Sequence, residues 1–161
     1  MLAAGELLEQ ADAAGIEFDT IVVAVGSCGT LAGLSVGLAA AGWPGRLVGV
    51  AVSAPAPTVR ARTLELARET AESLGRPGAV VDVEIDDRFI GPGYGVGTPE
   101  GLDAVRWLAR TEGLLLDPAY TGKAMAGLIA RAGSGEFEPG AGVVFVHTGG
   151  WPALFGYAEE L

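Results

Sequence analysis

What this chain has least of narrows it first. Among 161 residues there is one cysteine, Cys28, one histidine, His147, and one lysine, Lys123, beside nine arginines. A lone cysteine excludes an internal disulfide framework, and one histidine beside it makes no recognisable zinc set. Basic residues are scarce: ten Lys and Arg face twenty Asp and Glu, for a formal net charge of −10. So acidic a surface repels phosphate backbones, and nucleic acid is not an expected partner. Long apolar runs are lacking too, because Ser35, Gly37 and Gly42 interrupt the best candidate for a membrane span. The opening MLAAGELLEQ carries glutamates where a secretory leader needs positive charge and an apolar stretch. A soluble cytoplasmic protein is the expectation.

What is plentiful is apolar surface and glycine. Half the residues are hydrophobic, which argues for a folded globular chain, and the 26 glycines follow no period. The length suits one domain, residues 1–161, able to bury a core. Continuous apolar runs at Thr20 to Val25 and Arg46 to Val52 read as buried strands, with Ala79 to Ile85 and Val143 to His147 as two more. Helical spacing is expected over Leu2 to Ala14, Thr30 to Ala41, Thr58 to Leu74, Pro99 to Arg110 and Thr121 to Ala132. Thr98 stands where an N-cap belongs, before Pro99, and Trp151 to Tyr157 reads as a short closing helix. Strands that are apolar throughout and alternate with helices imply an α/β fold. Its expected form is a three-layer, mostly parallel open sheet with helices on both faces. Ligands in such sheets sit outside the carboxyl ends of the strands, where the loops after Val25, Ile85 and His147 all lie.

The stretch Gly26-Ser27-Cys28-Gly29-Thr30 joins a strand to a helix. Glycines there allow close backbone approach, and a helix N-terminus offers free N–H donors to an anion such as a phosphate monoester. Alone, the stretch reads first as a tight βα turn with a Ser/Thr cap and no ligand. It has neither G-x-x-x-x-G-K-[ST] nor G-x-G-x-x-G, and Val52-Ser53 lack the acidic residue of a dinucleotide site. Cys28 reads as a small residue in a glycine-like slot, and His147 as a satisfied strand-end residue. Tyr94, between glycines in a loop, has no core to fill, and Tyr120 stands at a helix start.

Four segments in order, GSCGTLAGLSVGL, FIGPGYGVGTPEG, EGLLLDPAYTGKAMAGLI and FVHTGGWPALFGY, carry a resemblance. They are similar to the C-terminal half of pyridoxal-phosphate enzymes that include D-cysteine desulfhydrase and 1-aminocyclopropane-1-carboxylate deaminase, of tryptophan-synthase-β-like fold. The resemblance implies that Gly26, Ser27, Cys28, Gly29 and Thr30 cradle the phosphate of pyridoxal 5'-phosphate. It implies that Tyr120 lies beside the pyridine ring with Thr121 next to it among the cofactor contacts. Tyr94 would face the substrate, and Thr148 would hydrogen-bond the ring nitrogen. A neutral hydroxyl there leaves the ring a weaker electron sink than a carboxylate partner does.

The cyclopropane-opening deaminases carry a glutamate after that tyrosine and a leucine in the HTGG-like motif. Thr121 and Thr148 stand here instead. That pattern resembles the desulfhydrases, which convert D-cysteine to pyruvate, H₂S and ammonia. The family's cofactor-linked lysine belongs to a GGNK-type segment of the N-terminal half, and nothing here matches it; Lys123 belongs to the YTGK motif instead. The chain alone is therefore expected to be inactive, and to pair with a missing N-terminal half or self-associate. The rival expectations are a 1-aminocyclopropane-1-carboxylate deaminase-like enzyme, or a non-catalytic domain that binds a phosphorylated ligand or a partner protein.

Overall fold

The computed structural model describes residues 2–161. Four strands form one sheet in the order β3-β2-β1-β4, and every neighbouring pair is parallel. In chain order the elements are α1 (Leu2–Ala14), β1 (Thr20–Val25), α2 (Gly29–Ala40), β2 (Arg46–Ala51), α3 (Ala56–Ser73) and β3 (Glu84–Asp86). After them come α4 (Pro99–Glu112), α5 (Thr121–Gly133), β4 (Val143–Val146) and a 3₁₀ helix, Trp151–Tyr157. β1 is central, and all six of its residues are buried. Its side chains alternate between two cores. Ile21, Val23 and Val25 meet Leu31, Leu34 and Leu38 of α2, with α1 and α3 behind, while Val22 and Ala24 meet the α4–α5 layer. Because both faces are covered, the strand is apolar from Ile21 to Val25.

Two expectations from the sequence are adjusted. α3 starts earlier than expected, at Ala56, since Pro57 falls in its first turn, where a missing N–H costs nothing. The third strand is only three residues long. The segment before it is claimed by a helix rather than by the sheet: the Ser35 hydroxyl of α2 donates to the Val81 carbonyl at 2.6 Å, and the Val81 amide donates back to the Ser35 carbonyl at 3.4 Å. Asp86, expected in the loop, closes β3 instead.

Parallel strands leave all their carboxyl ends on one side. There the chain departs from β1 at Gly26, from β3 into the loop 87–98, and from β4 at His147. α5 also begins on that side, its first turn against the end of β1.

Candidate functional site

The turn after β1 is built to stay open. Within three residues the chain passes from strand to helix, and Cys28 takes a left-handed φ of +69° to do so. Among the described residues it is the one non-glycine at positive φ, so it does fill a glycine-like slot. Its thiol is buried, 3.7 Å from the carbonyls of Gly26 and Val59, and so faces the core rather than the turn. Ser27, Gly29 and Thr30 are exposed. The amide of Ala32 is bonded to the Cys28 carbonyl at 2.9 Å, but those of Gly29, Thr30 and Leu31 reach no acceptor among the described residues. They form the positive end of the α2 dipole, an arrangement suited to an anion.

Tyr120 lies against this turn because Gly26 has no side chain. A Cβ on Gly26 would come within 3.3 Å of the Tyr120 ring and 3.4 Å of Val52. What holds Tyr120 is Asp117, which is fully buried. Its carboxylate accepts the amides of Ala119 (2.9 Å), Tyr120 (2.8 Å) and Thr121 (3.0 Å), and the Thr121 hydroxyl at 2.7 Å. Sequence reading passed over Asp117, although an aspartate four residues before a threonine at a helix start is a capping signal. The same contacts correct the expectation for Thr121. Its side chain is fully buried, and its hydroxyl both donates to Asp117 and accepts the Asp117 amide at 2.8 Å. Thr121 orients Tyr120 and has no hydroxyl proton left for a ligand.

Tyr94 reaches the same place from the loop after β3. Its hydroxyl is hydrogen-bonded to that of Tyr120, and the rings meet edge to face with centroids 5.7 Å apart. That hydrogen bond, with burial behind it, pushes the Tyr120 phenol up to about 12, so it keeps its proton at neutral pH. Thr148 follows β4, whose Val146 is level with Val23 of β1. It is exposed, as is His147, whose ring bonds to the Leu115 carbonyl (2.9 Å) and the Gly149 amide (3.1 Å), a satisfied strand-end residue. The next turn is seated on Asp117, since a Cβ on Gly150 would fall 2.5 Å from Asp117 Oδ1. One buried carboxylate therefore underlies both Tyr120 and the loop carrying Thr148.

Lys123 is wholly buried, its Nζ donating to the carbonyls of Ile90 (2.7 Å) and Gly93 (3.1 Å), and burial pushes its ammonium down from the usual lysine range. A cavity of about 630 Å³ opens at the opposite, amino end of the sheet. It is lined by Ile16, Phe18 and Trp43 with Asp12, Glu17 and Asp19, so its charge is wrong for an anion.

At the carboxyl end, free amides, small hydroxyls, a flat phenol face and a hydrogen-bonded phenol pair can hold a planar molecule with an anionic arm. Comparison with known proteins agrees with that chemistry. The family model described as pyridoxal-phosphate dependent enzyme matches residues 2–149. A 1-aminocyclopropane-1-carboxylate deaminase of Burkholderia vietnamiensis is 46% identical over 158 residues, covering 97% of this chain and 47% of that protein. A D-cysteine desulfhydrase of Yersinia enterocolitica is 45% identical over 149 residues, covering 92% of this chain and 45% of its own length. The crystal structure of an ACC deaminase homologue superposes with a TM-score of 0.87 at 40% identity, over 98% of this chain and 46% of that one. The chain thus spans about half the length of the relatives it matches.

Proposed function

Because the chain belongs to the family of pyridoxal-phosphate dependent enzymes, we propose that it forms the cofactor-binding part of a lyase of the D-cysteine desulfhydrase type. The observation that carries this reading is the turn at residues 26–30. Among the described residues its amides at Gly29 and Thr30 reach no acceptor, and Gly26 is bare beneath Tyr120, so the turn fits a phosphate monoester attached to a flat ring. Pyridoxal phosphate, when bound, withdraws electrons from the substrate's α-carbon. The polypeptide supplies the rest. The Gly29 and Thr30 amides, with the Ser27 and Thr30 hydroxyls, hold the phosphate. The Tyr120 face orients the ring, and the Thr148 hydroxyl answers its nitrogen without a charge. The Tyr120 and Tyr94 hydroxyls, hydrogen-bonded to each other, stand on the substrate side of the ring, where they orient the substrate by hydrogen bonding.

The choice of D-cysteine over the cyclopropane amino acid rests on Thr121 and Thr148. A threonine at 121 is consumed in seating Tyr120. Ring opening has no carboxylate at that position to draw on. Loss of an α-proton and a β-thiol asks for none. Turnover further requires a lysine that carries the cofactor, and Lys123 is committed to two backbone carbonyls. The open edge of β4 supports pairing with another polypeptide or with a second copy.

The test has two stages. Titrating the chain with pyridoxal phosphate, followed by tryptophan fluorescence, is expected to show saturable binding. Gly29→Leu is expected to weaken it by about tenfold, or 1.4 kcal/mol, by filling the cradle. Complementation with the amino-terminal half of the Yersinia relative is then expected to release pyruvate from D-cysteine. Ammonia from 1-aminocyclopropane-1-carboxylate instead would select the deaminase reading. Binding with no turnover on either substrate would select a non-catalytic phosphate-binding domain, and no binding would end the proposal.

A further inference from the structure

The chain has three tyrosines, and all of them meet at the carboxyl end of the sheet. Tyr94 is the one that ought not to be well placed. It is 63% exposed and sits in a loop where Gly91 and Gly95 have φ of +68° and +75°, so neither burial nor local backbone stiffness fixes its ring. Yet its hydroxyl is hydrogen-bonded to that of Tyr120.

Two contacts account for this, one on each side of the residue. Lys123 Nζ donates to the carbonyls of Ile90 and Gly93, immediately before Tyr94. The Tyr157 hydroxyl, from the closing 3₁₀ helix, donates to the carbonyl of Gly95, immediately after it. Burying the only lysine is costly, and it takes part in no ion pair among the described residues. A methionine would fill the same volume without that cost, but it would not donate to two carbonyls. Lys123 also stands three residues beyond Tyr120 on α5, so one helix start fixes Tyr120 directly and Tyr94 through the loop.

We propose that Lys123 and Tyr157 are positioning residues, a two-sided clamp on the 90–95 loop that brings the Tyr94 phenol to Tyr120. The clamp rests on the reading of that phenol pair as the substrate side of the site, but its own test does not need the cofactor. The intact chain is labelled with ¹³C at tyrosine Cζ, giving three resonances assigned by Tyr94→Phe, Tyr120→Phe and Tyr157→Phe. Tyr94→Phe also calibrates how far the Tyr120 signal moves when its partner hydroxyl is lost.

In Tyr157→Phe and in Lys123→Met, the Tyr120 signal is expected to move most of the way to that calibrated position, with native circular dichroism retained. A Tyr120 signal unmoved in folded variants overturns the clamp. Should Lys123→Met not fold, Tyr157→Phe decides the matter, since it removes one hydroxyl from a part-exposed ring. A moved signal in a protein that never binds pyridoxal phosphate would keep the clamp and refute the cofactor reading. An unmoved signal in one that binds would do the reverse.

Discussion

The two edges of the sheet are finished in opposite ways. On the β3 edge, Arg131 reaches from the end of α5 to Asp86 at 3.2 Å and Glu136 at 2.6 Å, and Arg88 pairs with Asp86 at 2.6 Å. Arg46 at the start of β2 extends the net to Glu84 at 2.8 Å. Charges and a three-residue strand make this edge unattractive to another strand. On the β4 edge no such net stands among the described residues. All four β4 residues are half-buried, and β4 pairs on one side alone. Nearby, Leu114, Leu115, Trp151 and Phe155 are exposed. One edge is finished as a water-facing surface; the other has the composition of an interface.

The comparison breaks most severely if Asp117 is removed, because that carboxylate seats the start of α5 and lies under the Gly150 turn beyond β4. Asp117→Ala strips the acceptor from three amides and a hydroxyl, and is expected to cost about 4 kcal/mol, or about 12 °C in Tm by calorimetry. A wild-type melting curve would show the β4 side to be held by other means.

On the finished edge the expected effect is smaller. Arg131→Met leaves Asp86 buried with Arg88 alone, and a loss of about 2 kcal/mol is expected from denaturant unfolding. Its pH dependence sharpens the test. Burial pushes the Asp86 carboxyl up, but the hydrogen bonds and charge of Arg88, with Arg131 behind, outweigh it and hold the group below its ordinary range. Arg46 does the same for Glu84. Both groups are therefore stabilising above the ordinary carboxylate range, and that contribution is lost as pH falls through their depressed values. The wild-type chain should lose stability below about pH 4, and Arg131→Met should show a shallower acid limb.

The smallest effect on stability is expected at the open edge. Phe155 is 83% exposed, so Phe155→Asp should change folding free energy by no more than about 0.5 kcal/mol. Sedimentation of the wild-type chain is expected to show concentration-dependent association, and Phe155→Asp is expected to abolish it. Association that persists unchanged would locate the contact elsewhere.

The sequence spoke clearly where one physical rule governed a segment. Ile21 to Val25 is apolar at every position because both of its faces are covered, and Thr98 caps α4 through the Gly101 amide as its place before Pro99 requires. It spoke poorly where long-range partners compete. The stretch before Glu84 has strand composition, but Ser35 of α2 takes its hydrogen bonds, a contact made across 46 residues. At the site, the glycine turn and the two tyrosines could be singled out from composition and loop position. The direction of the Thr121 hydroxyl could not, since it depends on Asp117 folding back over four residues. Nor could the clamp on Tyr94, whose donors lie in two later elements.

The register of the sheet also sets a timetable. Thr20 sits beside Val143 in the β1–β4 ladder, a pairing that closes a long loop and must await the synthesis of β4. Until then β1 has β2 as its one partner strand, and the turn that seats on Asp117 is absent from the carboxyl end of the sheet.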